Sequence, residues 1–280
     1  MEVVLLASGS QGNASLFASV GPSLERTSVM VDAGIGPRTL KRRLQALGLP
    51  LPDALIITHA HRDHVGHAQK LAEKFGLPLY LSESTARTTG LYGHAQVRIF
   101  SPREPFAIGA LTFSPTPLPH DAAQVAFLIS DGRERVALCT DLGEVPSRLP
   151  EVLREADLLL IESNHDEELL ESGPYPEFLK RRVGSARGHL SNRQTHALLR
   201  ALAPRPHEPA NRLRQVVLMH LSETNNRESL ALSSALDALG GAPVELLAAR
   251  QSETLRLTVK RSLPMPQAPQ SRRAQMAFAF

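Results

Sequence analysis

The sequence contains no tryptophan, and only 4% of its 280 residues are aromatic. Proteins that bind single-stranded nucleic acid without sequence preference stack the bases on aromatic side chains. The composition therefore argues against a base-stacking platform as the main binding device. With 42% hydrophobic and 21% charged residues, the chain is typical of a globular protein and is long enough for one large or two small domains.

Cysteine is also scarce, and long apolar runs are missing. The single cysteine, Cys139, lies in the apolar run 136–139, so the sequence excludes a disulfide framework and predicts a buried thiol. No apolar run reaches the length of a transmembrane helix, and residues 1–6 lack the basic start of a signal peptide. These absences predict a cytoplasmic protein.

The charge of the chain is nearly balanced, with 31 basic and 28 acidic residues and a pI near 9.3. Arginine supplies 26 of the 31 basic residues, and its planar guanidinium group matches the oxygens of a phosphate. A genome bias toward arginine would give the same composition. The balance permits an anionic partner without requiring one.

The stretch 58–64 concentrates four side chains that commonly bind metals, namely His59, His61, Asp63 and His64. It follows an apolar run that predicts a buried strand and precedes a segment with helical spacing. The strand fixes the backbone, the loop lets neighbouring side chains converge, and imidazole with carboxylate suits zinc, manganese or iron. A solvated, histidine-rich turn is the alternative, but this density at a strand end favours a metal site.

Further residues of the same kind stand at or just beyond the ends of other β-like runs: His120, Asp141, His165 and His220. Strands followed by helices in two successive halves predict an α/β protein with two sheets and helices on the outside. Residues 1–260 would form this catalytic domain. Residues 261–280 include a Pro-, Gln-, Ser- and Arg-rich stretch that cannot pack, so we predict a disordered tail with an apolar C-terminal peptide.

The pattern His-x-His-x-Asp-His, followed by a separated His, Asp and His, resembles the metallo-β-lactamase superfamily over nearly the whole predicted domain. The resemblance implies an αββα sandwich of two mixed β-sheets with a cleft for two divalent metal ions, Mn²⁺ or Zn²⁺. The first ion would have the ligands His59, His61 and His120. The second would have Asp63, His64 and His220, with Asp141 bridging the two ions. Asp32 matches a residue that supports the metal loop in the superfamily.

Four more segments are together similar to the YycJ/WalJ branch of this superfamily: 8–13, 162–166, 188–192 and 220–226. That branch is regarded as DNA-processing, with 5′→3′ exonuclease activity on duplex DNA. The resemblance therefore implies a nuclease that acts on duplex ends in DNA repair. One departure is Ala14, where relatives often carry cysteine, and no catalytic role depends on it.

Phosphodiester hydrolysis at two metal ions needs a bridging carboxylate, a group that orients water and a proton for the leaving 3′-oxygen. Asp141 and Asp63 would fill the first two roles. His165 and His189 are the candidates for the third, since they lie outside the metal set in segments shared with the branch. A helix-capping or core histidine is the alternative for each of them.

Substrate contacts are predicted from polar and basic side chains near these motifs: Ser8, Ser10, Asn13, Asn164, Arg187 and Ser191. Hydroxyl, amide and backbone N–H groups of a glycine-rich turn can bind phosphate. A tight turn between strands, and N-caps of the following helices, are competing explanations. The basic residues between 180 and 193 either follow a nucleic-acid backbone or form a solvated helix face.

The last six residues, 275–280, resemble the Gln-x-x-aliphatic-x-Phe peptide by which bacterial replication and repair proteins bind the sliding clamp, with Phe278 in place of the usual leucine. An extended peptide can insert aromatic side chains into a partner's groove. A terminus without a partner is the alternative.

Other functions remain open at this stage. A hydrolase of small cyclic phosphodiesters or thioesters, and a ribonuclease, are the alternatives among enzymes, and a metal-dead regulatory binding protein is the alternative outside them. The arginine-rich segment 167–203 favours a large anionic substrate, and the filled ligand positions argue against a metal-dead protein. The sequence therefore predicts a two-metal phosphodiesterase that acts on DNA.

Overall fold

The computed structural model describes residues 1–204 and 211–260. In that part of the chain the strands are β1 (Glu2–Ala7), β2 (Ala14–Val20), β3 (Arg26–Val31), β4 (Ala54–Ile56), β5 (Leu79–Ser82), β6 (Val97–Phe100), β7 (Phe106–Ile108), β8 (Leu111–Leu118), β9 (Gln124–Ser130), β10 (Arg135–Cys139), β11 (Leu158–Glu162), β12 (Gln215–Met219), β13 (Glu245–Ala248) and β14 (Leu255–Thr258). The helices are α1 (Pro37–Ala46), α2 (Arg62–Val65), α3 (Ala68–Phe75), α4 (Glu83–Thr88), α5 (Leu149–Leu153), α6 (Glu167–Ser172), α7 (Glu177–Val183), α8 (Asn192–Leu202) and α9 (Glu228–Leu239).

The strands form two mixed sheets of seven strands each. The first has the order β14-β1-β2-β3-β4-β5-β6 and the second the order β13-β12-β11-β10-β9-β8-β7. Each sheet has an antiparallel part and a parallel part. The parallel part comprises β3 to β6 in the first sheet and β10 to β13 in the second. Helices connect the parallel strands, as this type of pairing requires.

Three hydrophobic layers hold the sheets and helices together. Alternating side chains of β1 show the arrangement, because Val3 and Leu5 face the core between the sheets while Val4 and Leu6 face the helices. The outer layer of the first sheet is covered by α1 and α3, and that of the second sheet by α5, α8 and α9. The predicted αββα sandwich is confirmed.

Two elements differ from what the sequence pattern predicts. The apolar spacing predicts a helix from about Val65 to Phe75, but α3 begins only at Ala68, because the backbone N–H of His67 donates to the carbonyl of Ala33 and separates α3 from the short α2. The apolar run 111–113 predicts a strand, and this strand, β8, runs on through Pro115 and Pro117. Since β7 pairs only with the first three residues of β8, both prolines lie on a free edge where a missing N–H costs nothing.

The connections after β3, β4, β8, β10 and β12 come together at one rim of the sandwich. Ligand sites of α/β sheets commonly lie beyond the carboxyl ends of parallel strands. The predicted tail, including the peptide 275–280, lies outside the described residues. None of the helices within residues 1–204 and 211–260 has the length and apolar character needed to cross a membrane.

Candidate metal centre

Three histidines form the first cluster at the rim. His59 and His61 come from the loop after β4, and His120 comes from the end of β8 in the other sheet. The ring of His59 lies 4.6 Å from that of His61 and 5.3 Å from that of His120, centroid to centroid. Nε2 of His120 and Nδ1 of His61 face each other at 3.2 Å. This cluster could hold a metal ion.

The second cluster contains Asp63, His64, Asp141 and His220. Nε2 of His64 lies 3.2 Å from Oδ2 of Asp63 and 3.1 Å from Oδ2 of Asp141. Nε2 of His220 lies 3.3 Å from the same oxygen of Asp63. The two clusters adjoin, because the rings of His59 and His64 are only 4.2 Å apart. All seven predicted ligands are thus brought together.

An unusual backbone aims three of the side chains at the rim. Asp32, Asp141 and His220 have φ angles of 66°, 58° and 54°, and each follows the end of a strand. Non-glycine residues rarely occupy this left-handed region, and such conformations concentrate at functional sites. The turn directs each side chain back across the strand end toward the cluster.

Hydrogen bonds to the outer ring nitrogens fix how the histidines are oriented. Nδ1 of His64 lies 2.7 Å from Oδ2 of Asp32, and Nδ1 of His120 lies 3.0 Å from the carbonyl oxygen of Gly188. Nε2 of His61 lies 2.9 Å from Oδ1 of Asp121. With protons on these outer nitrogens, the lone pairs of the inner nitrogens point into the two clusters, as in other protein metal sites.

The donor atoms themselves show that a cation fits. Nε2 of His59 is buried and has no hydrogen-bond partner among the described residues, and the buried Oδ2 of Asp141 has Nε2 of His64 at 3.1 Å. In the second cluster, histidine nitrogens lie close to carboxylate oxygens, with Nε2 of His64 3.1 Å from Oδ2 of Asp141 and Nε2 of His220 3.3 Å from Oδ2 of Asp63. Buried polar atoms are seldom left without a partner. A divalent metal ion would satisfy all of these atoms, and imidazole with carboxylate is a suitable ligand set.

The charges of the two clusters differ. Burial lowers the pKa of His59, His61 and His120, so these rings are neutral and ready to bind a metal ion. In the second cluster burial opposes the charged forms as well, but the nearby carboxylates raise the pKa of His64 and bring that of His220 to about 10. Hydrogen bonds from the histidines lower the pKa of Asp63 despite its burial.

Glu162, at the end of β11, is a completely buried carboxylate. It belongs to the segment 162–166, but no role was predicted for it from the sequence. Its Oε1 accepts from Nδ1 of His189 at 2.8 Å and from Nδ1 of His220 at 2.9 Å. Its Oε2 accepts from the backbone N–H groups of Leu142 and Leu190, each at 3.1 Å. Burial raises the pKa of Glu162, but His189 and the hydrogen bonds lower it to about 2. A buried strand-end glutamate before Ser-Asn-His was the signal available in the sequence.

The two candidate proton donors are placed differently. His189 is 18% exposed, and the charge of Glu162 outweighs burial and raises the pKa of its ring. His165 is 2% exposed, burial lowers its pKa, and its Nδ1 has no hydrogen-bond partner among the described residues. The ring of His189 lies 5.4 Å from that of His120 and 5.2 Å from that of His220, beside both clusters.

Four of the six predicted substrate contacts are buried inside the protein. Ser8 accepts a hydrogen bond from the backbone N–H of His220, and the amide of Asn164 donates to the carbonyl of the same residue. The amide nitrogen of Asn13 lies 3.1 Å from Oδ2 of Asp63. Ser191 is the N-cap of α8 and forms a capping box. These four side chains therefore support the site from within, while Ser10 and Arg187 are exposed.

The branch segments also contact one another. The amide of Asn226 donates to the carbonyls of Ser163 and Asn164 and to the side chain of Asn192. The hydroxyl of Ser163 donates to the same side chain of Asn192 at 2.7 Å. A buried polar network of this kind fixes one relative arrangement of its members. The network therefore fixes the segments that carry Glu162, His189 and His220 relative to one another.

Most of the basic cluster around α7 is neutralised by ion pairs. Lys180 pairs with Glu177, Arg182 with Asp121, and Arg193 with Glu167. These pairs compete with a nucleic-acid backbone for the same charges. Arg181 and Arg187 are exposed and form no ion pair with any of the described residues.

The sandwich and the clusters at its rim define a metallo-β-lactamase-type protein. The family model described as the beta-lactamase superfamily domain matches residues 27–221, and the chain belongs to this superfamily. It is 33% identical over 249 residues to the exodeoxyribonuclease WalJ of Streptococcus pneumoniae, covering 85% of this chain and 88% of that protein. It is 31% identical over 242 residues to the exodeoxyribonuclease YycJ of Bacillus anthracis, covering 84% and 88%.

Solved structures agree on the fold. The metallo-β-lactamase fold protein YhfI from Bacillus subtilis superposes with a TM-score of 0.67, covering 91% of this chain and 99% of its own, at 19% sequence identity. Zn²⁺-bound PqqB from Methylobacterium extorquens superposes with a TM-score of 0.63, covering 92% of this chain and all of its own, at 17% identity. At these identities the likeness extends to the fold alone.

Proposed function

We propose that the chain is a nuclease that hydrolyses phosphodiester bonds of DNA with two divalent metal ions. The observation that carries this proposal is the pair of adjoining clusters, His59–His61–His120 and Asp63–His64–Asp141–His220. Asp141 is the shared element, since its buried Oδ2 lies 3.1 Å from Nε2 of His64 and its charge acts on both His64 and His59. The ions would be Mn²⁺ or Zn²⁺.

The names of the relatives support DNA as the substrate. Both exodeoxyribonucleases match the chain over about 85% of its length, and both are covered to 88%. We therefore infer a 5′→3′ exonuclease that trims the ends of double-stranded DNA during repair in the cytoplasm. The metal-binding residues, the proton donor and the exposed substrate contacts Ser10 and Arg187 are part of the same proposal.

The residues of the chain divide the chemistry among them. When bound, the metal ions supply Lewis acidity and an activated water. Asp63, 22% exposed and hydrogen-bonded by Asn13, is placed to orient the attacking water. His189 gives its Nε2 proton to the leaving 3′-oxygen, since its Nδ1 is held by Glu162. The raised pKa of His189 favours the protonated ring, which is the form that a general acid needs.

His189 is a better proton donor than His165 for two reasons. Its ring lies beside a histidine of each cluster, and its pKa is raised where that of His165 is lowered. His165 is anchored instead by its backbone, whose carbonyl accepts from the N–H of Asn192. We therefore assign a structural role beside the site to His165 and the role of proton donor to His189.

Digestion of duplex DNA labelled at either the 5′ or the 3′ end tests the proposal. In Mn²⁺ the wild type is expected to release labelled mononucleotide from the 5′ end at once and from the 3′ end last. Asp63→Ala should lose this activity, whereas Asp237→Asn, an exposed aspartate on α9, should retain it. Release from the 3′ end first would contradict the polarity. Cleavage of RNA or a small phosphodiester without cleavage of DNA would contradict the substrate.

A further inference from the structure

A groove runs from the metal centre along the outer face of the first sheet. One cavity of about 420 Å³ begins at Asp63 and is lined by Ser10, Arg62 and His67. A second, of about 440 Å³, continues from His67 to the first turn of α1 and the exposed face of α3. His67 lines both cavities, so they adjoin at this residue, and together we call them the α1–α3 groove.

The lining of the α1–α3 groove is strongly basic. It contains Arg38 from α1, Arg62 from α2 and two of the five lysines of the chain, Lys70 and Lys74, from α3. Among the residues that line the two cavities, the only carboxylate is that of Asp63, at the metal centre. The first turn of α1 carries no acidic residue either. Fixed positive charge therefore accumulates along the groove.

These cations are not neutralised by the protein. Within residues 1–204 and 211–260, no ion pair is formed by Arg38, Arg62, Lys70 or Lys74. The basic residues of α7 and α8 differ, because Lys180, Arg182 and Arg193 each have a carboxylate partner. The pocket beside His165, lined by some of those residues, contains three cations and three carboxylates. The α1–α3 groove is thus a surface beside the site whose four cations have no ion-pair partner among the described residues.

The break between α2 and α3 shapes the groove. The backbone N–H of His67 bonds to the carbonyl of Ala33, and the ring of His67 lies beside Gly36, where an added Cβ would be 3.6 Å from the ring. This contact brings the start of α1 next to the start of α3. Lys70 and Lys74, four residues apart, project from one face of α3 about 6 Å apart along its axis. Along the axis of duplex DNA, each strand carries one phosphate charge about every 3.4 Å. The spacing of the two lysines is therefore comparable to the spacing of phosphates on one strand.

We propose that the α1–α3 groove binds the phosphate backbone of duplex DNA and leads one end of it to the metal centre. The proposal deepens, and rests on, the proposed nuclease function. Arg38, Lys70 and Lys74 contact phosphates of the double-stranded part, and Arg62 contacts the phosphate nearest the reaction. Phosphate contacts of this kind give affinity and position without reading sequence, as an exonuclease requires.

The test is binding of a fluorescent duplex whose ends carry phosphorothioate linkages, so that hydrolysis does not interfere. The test variant is Arg38→Gln/Lys70→Gln/Lys74→Gln. The control variant is Arg103→Gln/Arg133→Gln/Arg200→Gln, which removes the same charge from exposed arginines outside the groove. Dissociation constants are measured by fluorescence anisotropy between 50 and 200 mM salt. Metal content and hydrolysis of bis(p-nitrophenyl) phosphate report whether the metal centre is intact.

The test variant is expected to bind the duplex at least ten-fold more weakly than the control. Its slope of log K against log salt should be shallower by roughly 2 to 3, because each lost phosphate contact removes about 0.9. Hydrolysis of the small diester should stay unchanged in both variants. Equal binding by test and control, or no binding by the wild type, would overturn the proposal. If the groove binds DNA but the wild type releases no nucleotides, the nuclease function fails while the binding surface stands.

Discussion

Glu162 is the residue on which the chemical roles converge, because one buried carboxylate holds both His189 and His220. It accepts from both rings through the same oxygen, while its other oxygen is held by two backbone N–H groups. Its charge therefore stays fixed while the rings beside it bind a metal ion or transfer a proton. For the proton donor proposed at His189, this contact orients the ring, and the charge of Glu162 favours its protonated form.

Glu162→Gln should shift the pH dependence of the reaction. Burial lowers the pKa of His189, but the charge of Glu162 raises it above its usual 6.5, so the acid form persists to higher pH. Removing that charge lowers the pKa of His189, and the alkaline decline of kcat then begins at lower pH. The profile of kcat against pH on duplex DNA measures the shift, after metal content has been checked because Glu162 also holds His220. An unchanged profile would show that His189 is not the proton donor.

Replacing His189 itself should remove the alkaline decline of kcat that its deprotonation causes. His189→Ala is expected to lower kcat by about 100-fold or more, the usual contribution of a positioned acid. His165→Ala serves as the matched change in the wall of the site and should lower kcat by less. A larger loss in His165→Ala than in His189→Ala would reverse the two assignments.

Asp32→Asn should weaken metal binding without disturbing the backbone. Asparagine tolerates the left-handed φ of 66° at this position, so the turn is kept. The variant loses the carboxylate that lies 2.7 Å from Nδ1 of His64, and such supporting groups typically contribute 10- to 100-fold in metal affinity. Titration of metal-free protein with Mn²⁺ measures the change. Asp53→Asn, a carboxylate that contacts Ser28 away from the rim, is the control and should bind metal like the wild type.

The metal-ligand candidates were easier to predict from the sequence than the positions of the other polar residues around the site. All seven metal-ligand candidates stand at strand ends in the sequence and meet in the structure, because ligand type and strand position are local properties. Burial of Ser8, Asn13, Asn164 and Ser191 depends on contacts with segments far along the chain, so sequence alone could not separate supporting residues from substrate contacts. The roles of Glu162 and Asp121 depend on the same long-range contacts.

At the scale of elements, α8 connects the branch segments to the site. Ser191 caps it, Thr195 donates to the carbonyl of Glu162, and Asn192 joins the network with Asn226. The cap at Ser191 therefore sets the start of α8 and also helps to fix His189, which lies two residues before it in the chain. Ser191 was predicted as a substrate contact with an N-cap as the alternative, and the structure shows the cap.

Ser191→Ala should reduce stability rather than substrate affinity. The hydroxyl accepts from the N–H of Gln194 and donates to Glu167, so its loss costs about 1 kcal/mol, as for other N-caps. Urea unfolding of the metal-free protein measures the free energy of unfolding, and steady-state kinetics on duplex DNA measures KM. Ser147→Ala, an exposed serine before α5, should change neither. A raised KM with unaltered stability would restore Ser191 to the substrate contacts.

Elements with local signals were predicted well, and those set by distant partners were not. Glycine at position 36 followed by proline at position 37 predicts the start of a helix, and α1 begins at Pro37. The break at His67 depends on a hydrogen bond to Ala33, and the extension of β8 depends on its pairing with β9. Neither partner can be read from the neighbouring residues.

At the scale of the whole molecule, the metal centre joins the two sheets. The first sheet supplies the loop after β4, and the second supplies His120, Asp141 and His220. Ions bound between them would hold the two halves of the sandwich together in the native state only. The fold could be predicted from the alternation of strands and helices and from the resemblance, but the contact between the halves required the structure.

Removing metal should therefore destabilise the protein. Binding to the native state alone contributes about 2.7 kcal/mol when the free metal is at one hundred times its dissociation constant. Chelation by EDTA is expected to lower the thermal midpoint by several degrees, and Mn²⁺ should restore it. In Asp141→Asn the response to metal should be smaller. A thermal midpoint that does not depend on metal would contradict binding between the sheets.

The most direct measurement is a titration of metal-free protein with Mn²⁺ while nucleotide release from 5′-labelled duplex DNA is followed. Two ions acting together predict little activity at one equivalent of Mn²⁺ and full activity at two. Asp141→Asn should stay inactive throughout the titration. Full activity at one equivalent, or activity without metal, would contradict a reaction that depends on both clusters.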